Sequence, residues 1–233
     1  MADATESQHP LLVTTAWLGE HLENPDFVLI DCSDPDAYRR AHIPGAVSIS
    51  PVPTLKSAGN SRLVMEADEF EPLVRRLGVS NDTPVIVYDD NSSLQAARVW
   101  WVFERFGHQG VRVLDGGFNA WLDEGRALTS RSPRPEPGTF AANIDESHHC
   151  RIEDMRSAVD ADNVQIWDVR SEGEWLGEND RGNARAGHVP GAVWLEWSQL
   201  LERPPVGRFR PLDEMRQMLV AAGIDPEAET VAY

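Results

Sequence analysis

Three arginines in the second half of the chain have the side chains and positions that anion binding would need. Arg170 closely follows Asp168, which ends an apolar run, and ligands gather at the carboxyl edge of parallel sheets. Arg181 and Arg185 lie in a segment that the first half of the chain lacks. Each has a structural alternative, because Arg170 could pair with Glu174 and the other two could belong to a solvated surface loop.

An anion would have to bind against the charge of the whole chain. The 233 residues include 38 Asp and Glu against 21 Lys and Arg, which gives a formal net charge of −17. A field of this sign repels nucleic acid and anionic membranes, so we expect neither as a partner. A small anionic substrate therefore requires a local group of basic residues.

The two cysteines predict neither a disulfide framework nor a metal site. Cys32 follows the predicted strand 28–30 and is expected to be a small, partly buried thiol. Cys150 adjoins His148 and His149, but three adjacent residues cannot all surround one ion, and no second cluster is spaced to complete four ligands. We expect no metal and no organic cofactor.

The sequence contains no recognisable targeting or membrane segment. Residues 1–7 have neither a basic nor an apolar stretch, and the chain has no run of about eighteen apolar residues. Two cysteines suit a reducing compartment, so these observations predict a soluble, cytoplasmic protein.

A short motif occurs twice and divides the chain into two related halves. His42-Ile-Pro-Gly-Ala in the first half corresponds to His188-Val-Pro-Gly-Ala in the second. An apolar run ending in aspartate precedes each copy, at Asp31 and at Asp168. The recurrence with Pro and Gly favours a turn in which the imidazole binds backbone groups beside a strand.

The alignment of the two halves extends towards the end of the sequence. Gly78 and Gly223 each end a predicted helix, and pairing them places Tyr88 on Tyr233. Asp89 then corresponds to the position that follows Tyr233.

Apolar periodicity predicts strands that alternate with helices. The predicted strands cover residues 28–30, 46–49, 84–88, 111–114, 164–167, 192–195 and 230–233. The predicted helices cover residues 16–22, 35–40, 69–77, 94–106, 120–122, 152–159, 173–176 and 213–222. This alternation predicts α/β domains in which helices flank a mainly parallel sheet.

Residues 129–143 are predicted to link two domains. The stretch 129–138 contains three prolines and no apolar side chain, which is typical of a linker. The N-terminal domain is therefore assigned to residues 1–128 and the C-terminal domain to residues 144–233.

The motifs resemble those of the tandem-domain rhodanese family, which includes the thiosulfate and 3-mercaptopyruvate sulfurtransferases. The matching segments are 38–46 (Tyr-x-x-x-His-Ile-Pro-Gly-Ala), 114–121 (Leu-Asp-Gly-Gly-Phe-Asn-Ala-Trp), 168–171 (Asp-Val-Arg-Ser) and 187–192 (Gly-His-Val-Pro-Gly-Ala). The resemblance covers both halves and implies two tandem rhodanese-like domains. It also implies that sulfane sulfur moves from thiosulfate or 3-mercaptopyruvate to cyanide or a thiol through a cysteine persulfide.

In this family the reactive cysteine follows the fourth strand of the second domain. The alignment places that cysteine immediately after Tyr233, so we expect no catalytic residue among the 233. We also expect the C-terminal domain to be incomplete in this sequence and to be completed by a further segment of the same protein. Asp89 occupies the equivalent position in the first domain and cannot accept sulfur, which predicts an inactive domain. The resemblance further implies that Arg170, Arg181 and Arg185 hold the anionic donor.

Two other functions remain open. A chain without the cysteine would be a catalytically inert rhodanese-like binding or regulatory module. A phosphatase or arsenate reductase on the same fold would need a longer cysteine loop. The residues that follow Tyr233 distinguish these functions.

Overall fold

The computed structural model describes residues 9–23, 25–49, 55–57, 63–161, 163–203 and 206–233. Residues 1–8, which are predicted to carry no targeting segment, lie outside these ranges. The chain forms two compact units, the first comprising residues 1–148 with 203–208 and the second residues 149–202 with 209–233.

The first unit is built on a five-stranded sheet. Its strands are β1 (Leu12–Val13), β2 (Val28–Asp31), β3 (Val47–Ser48), β4 (Val85–Tyr88) and β5 (Val111–Leu114), in the order β1-β5-β4-β2-β3. Each neighbouring pair of these strands is parallel, which confirms the predicted sheet type. Strand β4 lies at the centre, and all its residues are fully buried.

The sequence pattern does not predict strand β1. Two residues are too few to show periodicity, and the strand forms because Leu12 and Val13 pair with Val113 and Leu114 of β5. Its existence therefore depends on a contact between residues far apart in the sequence.

In the described part of the first unit, five helices flank this sheet. They are α1 (Thr15–His21), α2 (Pro35–Arg40), α3 (Ala67–Arg76), α4 (Leu94–Arg105) and α5 (Gly117–Asp123). Alternate residues of β4 enter different apolar clusters, because side chains alternate across a strand. Val85 and Val87 pack in the cluster that contains Phe70, whereas Ile86 packs in the cluster that contains Trp121.

The second unit contains a three-stranded parallel sheet. Its strands are β6 (Gln165–Asp168), β7 (Val193–Trp194) and β8 (Thr230–Ala232), in the order β7-β6-β8. Its helices are α6 (Ile152–Val159), α7 (Glu172–Trp175) and α8 (Leu212–Ala222), and short 3-10 turns cover Glu146–His148 of the first unit and Trp197–Leu200 of the second. No helix in the described part of the chain is long and apolar enough to cross a membrane.

The predicted alignment of Tyr88 with Tyr233 is confirmed by a hydrogen bond that occurs in both units. The Ile43 N–H donates to the Tyr88 hydroxyl over 3.1 Å, and the Val189 N–H donates to the Tyr233 hydroxyl over 2.8 Å. In each unit this bond joins the strand-end tyrosine to the turn of the repeated His-x-Pro-Gly motif.

Part of the predicted linker 129–143 lies along the first unit. Phe140 is fully buried in the cluster that contains Phe70. The Gly138 N–H donates to the Arg75 carbonyl over 2.8 Å, which fixes the backbone near this side chain. The exact domain boundaries remain predictions.

Replacing Tyr88 with phenylalanine tests the repeated hydrogen bond. The change leaves the buried Ile43 N–H without its acceptor, so we expect the free energy of unfolding to fall by about 1–3 kcal/mol. The matched change Tyr233→Phe should cost less, because Tyr233 is only half-buried and water can replace the hydroxyl. Urea denaturation measures both changes, and equal losses would contradict the dependence on burial.

Candidate functional site

Arg170 is held by the carboxylate at the end of strand β6. Its Nε and Nη2 donate to the two oxygens of Asp168 over 2.9 and 2.6 Å, and its backbone N–H donates to the same carboxylate over 3.0 Å. Nη2 also donates to the Gly187 carbonyl over 3.0 Å, and the guanidinium lies 4.9 Å from the centre of the Tyr233 ring. Arg170 thereby joins the strand end to the second copy of the repeated motif.

The Asp168–Arg170 pair is ionised by its surroundings. Asp168 is fully buried, and burial by itself would raise the pKa of this carboxyl. The hydrogen bonds from Arg170, together with one from Tyr233, outweigh burial and hold the pKa below its usual value. The bond to Asp168 raises the pKa of Arg170 in turn.

Glu174 of helix α7 pairs with a different arginine from the one that the sequence suggests. One of its oxygens accepts from the Ser171 hydroxyl over 2.8 Å and lies 3.1 Å from Arg181 Nη2. Only 9% of Glu174 is exposed, although Arg181 lies at the surface. The alternative pairing of Arg170 with Glu174 is therefore wrong, because the guanidinium of Arg170 is already bound to Asp168.

The segment that carries Arg181 is shaped by its own polar side chains. The backbone N–H of Arg181 donates to the Asn179 side chain over 3.1 Å, and that of Gly182 donates to Asp180 over 2.8 Å. Arg181 adopts a positive φ of 47°, in the region that favours glycine. Arg185 is exposed and makes no ion pair with any residue that the structure describes.

The repeated histidines occupy the same structural position in both units. The His42 ring stacks on Tyr38 with centroids 3.8 Å apart, and its Nδ1 donates to the Tyr38 carbonyl over 2.7 Å. The His188 ring stacks on Trp175 at 3.5 Å, and its Nδ1 donates to the Trp175 carbonyl over 3.0 Å. These contacts confirm the predicted turn role of the two side chains.

In the first unit the loop after β4 and the first turn of helix α4 surround the carboxylate of Asp89. One oxygen accepts from the backbone N–H groups of Asn91 and Ser93 over 2.8 and 2.9 Å, and the other from those of Gln95 and Ala96 over 2.7 and 2.8 Å. Burial raises the pKa of Asp89, and the four hydrogen bonds act in the opposite direction. The loop is a group of converging N–H donors already occupied by an anion of the chain itself.

The carboxyl edge of the first sheet also borders a cavity of about 160 Å³. Its polar lining includes Asp31, which ends strand β2, together with Ser33, Arg40 and Asp90. In the sequence, only Asp31 marks this edge of the sheet, because it ends an apolar run. No sequence pattern indicates that Ser33, Arg40 and Asp90 line the cavity.

Neither cysteine has the surroundings of a nucleophile. Cys32 is buried, and burial raises the pKa of its thiol well above the usual value, with the charges of Asp89 and Asp31 adding to the effect. Cys150 is exposed, and its pKa is also raised, by partial burial and by Asp154. Among the described residues no cluster of three or more metal-binding side chains is present.

The geometry of both units agrees with comparisons to known proteins. A model of the rhodanese-like domain matches residues 14–124. The sulfur carrier protein TtuD of Thermus thermophilus is 34% identical over 238 residues, which cover 97% of this chain and 82% of that protein. The chain belongs to the rhodanese family.

Two further comparisons also cover both units of the chain. The thiosulfate sulfurtransferase of Bos taurus is 35% identical over 233 residues, covering 92% of this chain and 77% of that protein. The crystal structure of SseA from Escherichia coli, a 3-mercaptopyruvate sulfotransferase, superposes with a TM-score of 0.84 at 26% identity. This match covers 95% of the present chain and 87% of SseA.

Removing Arg170 should destabilise the second unit of the chain. Arg170→Ala leaves the buried Asp168 carboxylate unpaired, so we expect a loss of about 2 kcal/mol or more in the free energy of unfolding. Arg185→Ala, the matched change at an exposed arginine, should leave stability within about 0.5 kcal/mol of the parent. Urea denaturation at pH 7 measures both, and similar losses would contradict the structural role of Arg170.

The stabilisation by the Asp168–Arg170 pair should depend on pH with a defined sign. The folded pKa of Asp168 is lowered, so the contribution is fully present above the unfolded pKa, near 3.8, and is lost as pH falls through the lower folded value. The difference in stability between the parent and Arg170→Ala should therefore shrink below about pH 4. A difference that grows on acidification would contradict the assignment.

Changing Asp89 to asparagine tests the occupied loop of the first unit. The amide keeps the shape of the carboxylate, but its NH₂ group would face two backbone N–H donors, so we expect a loss of about 1–3 kcal/mol. Asp90→Asn makes the same charge change at an exposed neighbour and should have little effect on stability. Thermal unfolding compares the two variants, and equal melting temperatures would argue against the four-bond arrangement.

Proposed function

We propose that this rhodanese-family chain is part of a sulfurtransferase. It would move a sulfane sulfur from thiosulfate or 3-mercaptopyruvate to a thiophilic acceptor, either cyanide or a thiol, through a cysteine persulfide. The observation that carries the proposal is the equivalence of Tyr88 and Tyr233. It aligns the loop of converging N–H groups around Asp89 with the position that follows Tyr233.

The repeat assigns the nucleophile to the position after Tyr233, where we propose a cysteine. In the first unit the equivalent position bears a carboxylate held by four backbone N–H groups. The same donors around a sulfur atom would stabilise a thiolate and then a persulfide anion, without a general base. Cys32 and Cys150 are unsuited to this role because the pKa of each thiol is raised.

The reaction proceeds in two balanced transfers. The thiolate attacks the outer sulfur of thiosulfate, an S–S bond forms to the enzyme, and sulfite leaves with the electrons of the broken S–S bond. With 3-mercaptopyruvate the C–S bond breaks instead, and the departing enolate takes up, through water, the proton that the donor's thiol group loses as the persulfide anion forms, which gives pyruvate. Cyanide or an acceptor thiolate then attacks the outer sulfur of the persulfide, and the enzyme thiolate is released.

The donor-binding roles of Arg170, Arg181 and Arg185 are also part of this proposal. A guanidinium carries five N–H donors, so an arginine that already binds one carboxylate can still donate to a second anion. Arg185 is exposed and makes no ion pair with a described residue, which favours it as the first contact for an anionic donor. Arg170 and Arg181 would contribute the N–H groups that Asp168 and Glu174 leave available.

The full-length protein should transfer sulfur from thiosulfate to cyanide and retain one additional sulfur atom after exposure to donor alone. Arg185→Ala should raise the KM for thiosulfate about tenfold without lowering stability, because it removes an exposed cation. The matched control is Arg156→Ala, which removes an exposed arginine from helix α6. Steady-state kinetics and intact mass spectrometry provide the two measurements.

A protein that neither gains sulfur nor transfers it would overturn the proposal. The remaining function would then be a catalytically inert rhodanese-like binding or regulatory module. Equal effects of Arg185→Ala and Arg156→Ala on KM would remove Arg185 from the donor site but would leave sulfur transfer intact.

A further inference from the structure

An acidic side chain that donor binding does not require lies beside two of the three candidate arginines. Glu174 is nine-tenths buried, and its carboxylate lies 3.1 Å from Arg181 and accepts a hydrogen bond from Ser171. Arg170 is near enough to lower the pKa of Glu174 through its charge, in addition to the larger effect of Ser171. Glu174 therefore lies within the same electrostatic environment as both arginines.

The carboxylates reduce the positive charge of this region. Arg170 is paired with Asp168 and Arg181 with Glu174, so two of the three guanidinium charges are matched by carboxylates. Arg185 is exposed and forms no such pair with a described residue. The two pairs carry no net charge, so they favour a dianion over a monoanion less than two unpaired arginines would.

The charge of Asp168 holds Arg170 at the end of strand β6, whereas the hydrogen bond of Glu174 with Ser171 can be kept by an uncharged side chain. Asp168 closes strand β6 and accepts from the backbone and side chain of Arg170. Glu174 instead binds Arg181 in an exposed segment whose shape is already maintained by Asn179 and Asp180. Its charge can thus be removed without loss of the local fold, which makes its effect on ligands measurable.

We propose that Glu174 selects the charge of the sulfur donor. By neutralising Arg181, it favours a donor with one negative charge, such as 3-mercaptopyruvate, over a dianion such as thiosulfate. This inference rests on the proposed function, since it concerns the donor site of the same reaction. Glu174 is a specificity-determining residue in this scheme and takes no part in bond making.

The substitution Glu174→Gln removes the charge and keeps the shape of the side chain and its contact with Ser171. The Coulomb energy is twice as large for a dianion as for a monoanion. The fold-increase in kcat/KM depends exponentially on this energy, so the increase for a dianion is the square of that for a monoanion. We expect kcat/KM to rise about threefold for 3-mercaptopyruvate and about tenfold for thiosulfate at low ionic strength. Glu172→Gln makes the same charge change at an exposed position of helix α7 and should leave the ratio of the two donors unchanged.

Repeating the Glu174→Gln substitution in a protein that lacks the Arg181 guanidinium tests whether Glu174 acts through Arg181. In Arg181→Gln the guanidinium is absent, so the further change Glu174→Gln should no longer release a cation and should shift the donor ratio less than it does in the parent. An equal shift in both backgrounds would overturn the role of the Arg181 pair. A donor ratio unaffected by Glu174→Gln, or shifted equally by Glu172→Gln, would overturn the proposal itself.

Equilibrium binding separates this inference from the proposed function. Sulfate and pyruvate are a dianion and a monoanion that resemble the two donors and cannot transfer sulfur. Titration calorimetry should show that Glu174→Gln strengthens sulfate binding about tenfold and pyruvate binding about threefold. Failure of sulfur transfer in the parent protein would defeat the proposed function, whereas unchanged sulfate and pyruvate affinities would defeat the selection by Glu174.

Discussion

The hydrogen bond between a strand-end tyrosine and the turn of the repeated motif fixes the carboxyl edge of each sheet. In the first unit the Tyr88 hydroxyl accepts from the Ile43 N–H, and in the second the Tyr233 hydroxyl accepts from the Val189 N–H. The bond requires the tyrosine side chain to lie on the face that meets the turn. Because side chains alternate along a strand, this requirement fixes the orientation of the residue that follows the tyrosine. Asp89 is that residue in the first unit, and it is placed where the loop N–H groups converge.

The loop around Asp89 shows what the residue after the strand-end tyrosine meets in the first unit. Its four N–H groups form a site for negative charge, and in the first unit a carboxylate of the chain occupies it. An occupied site cannot take up sulfur, which supports the prediction that the first unit is inactive. The proposed persulfide would need the same donors but a different atom at the centre. The fold provides the electrostatic environment, and one side chain decides its use.

Two ion pairs between arginines and carboxylates lie near the end of strand β6. The chain is strongly acidic overall, and two of the three candidate arginines are paired with carboxylates in the structure. The Asp168–Arg170 pair is largely buried and serves the fold, since Arg170 also binds the Gly187 carbonyl and contacts the Tyr233 ring. The Glu174–Arg181 pair lies at the surface end of the same region, where its charge can affect a ligand. In the proposed scheme, fold stability and donor preference depend on different ion pairs.

The sequence by itself determined the class of fold, the repeat and most of the elements. The apolar run 84–88 predicted strand β4, and the helical periodicity of residues 94–106 predicted helix α4, because both patterns depend on neighbours along the chain. The tertiary structure alone decided which distant groups meet. It paired Leu12 and Val13 with strand β5, buried Phe140 of the predicted linker, and joined Arg170 to Asp168 rather than to Glu174. Such contacts depend on the direction of each side chain in the folded chain, and sequence spacing does not specify that direction.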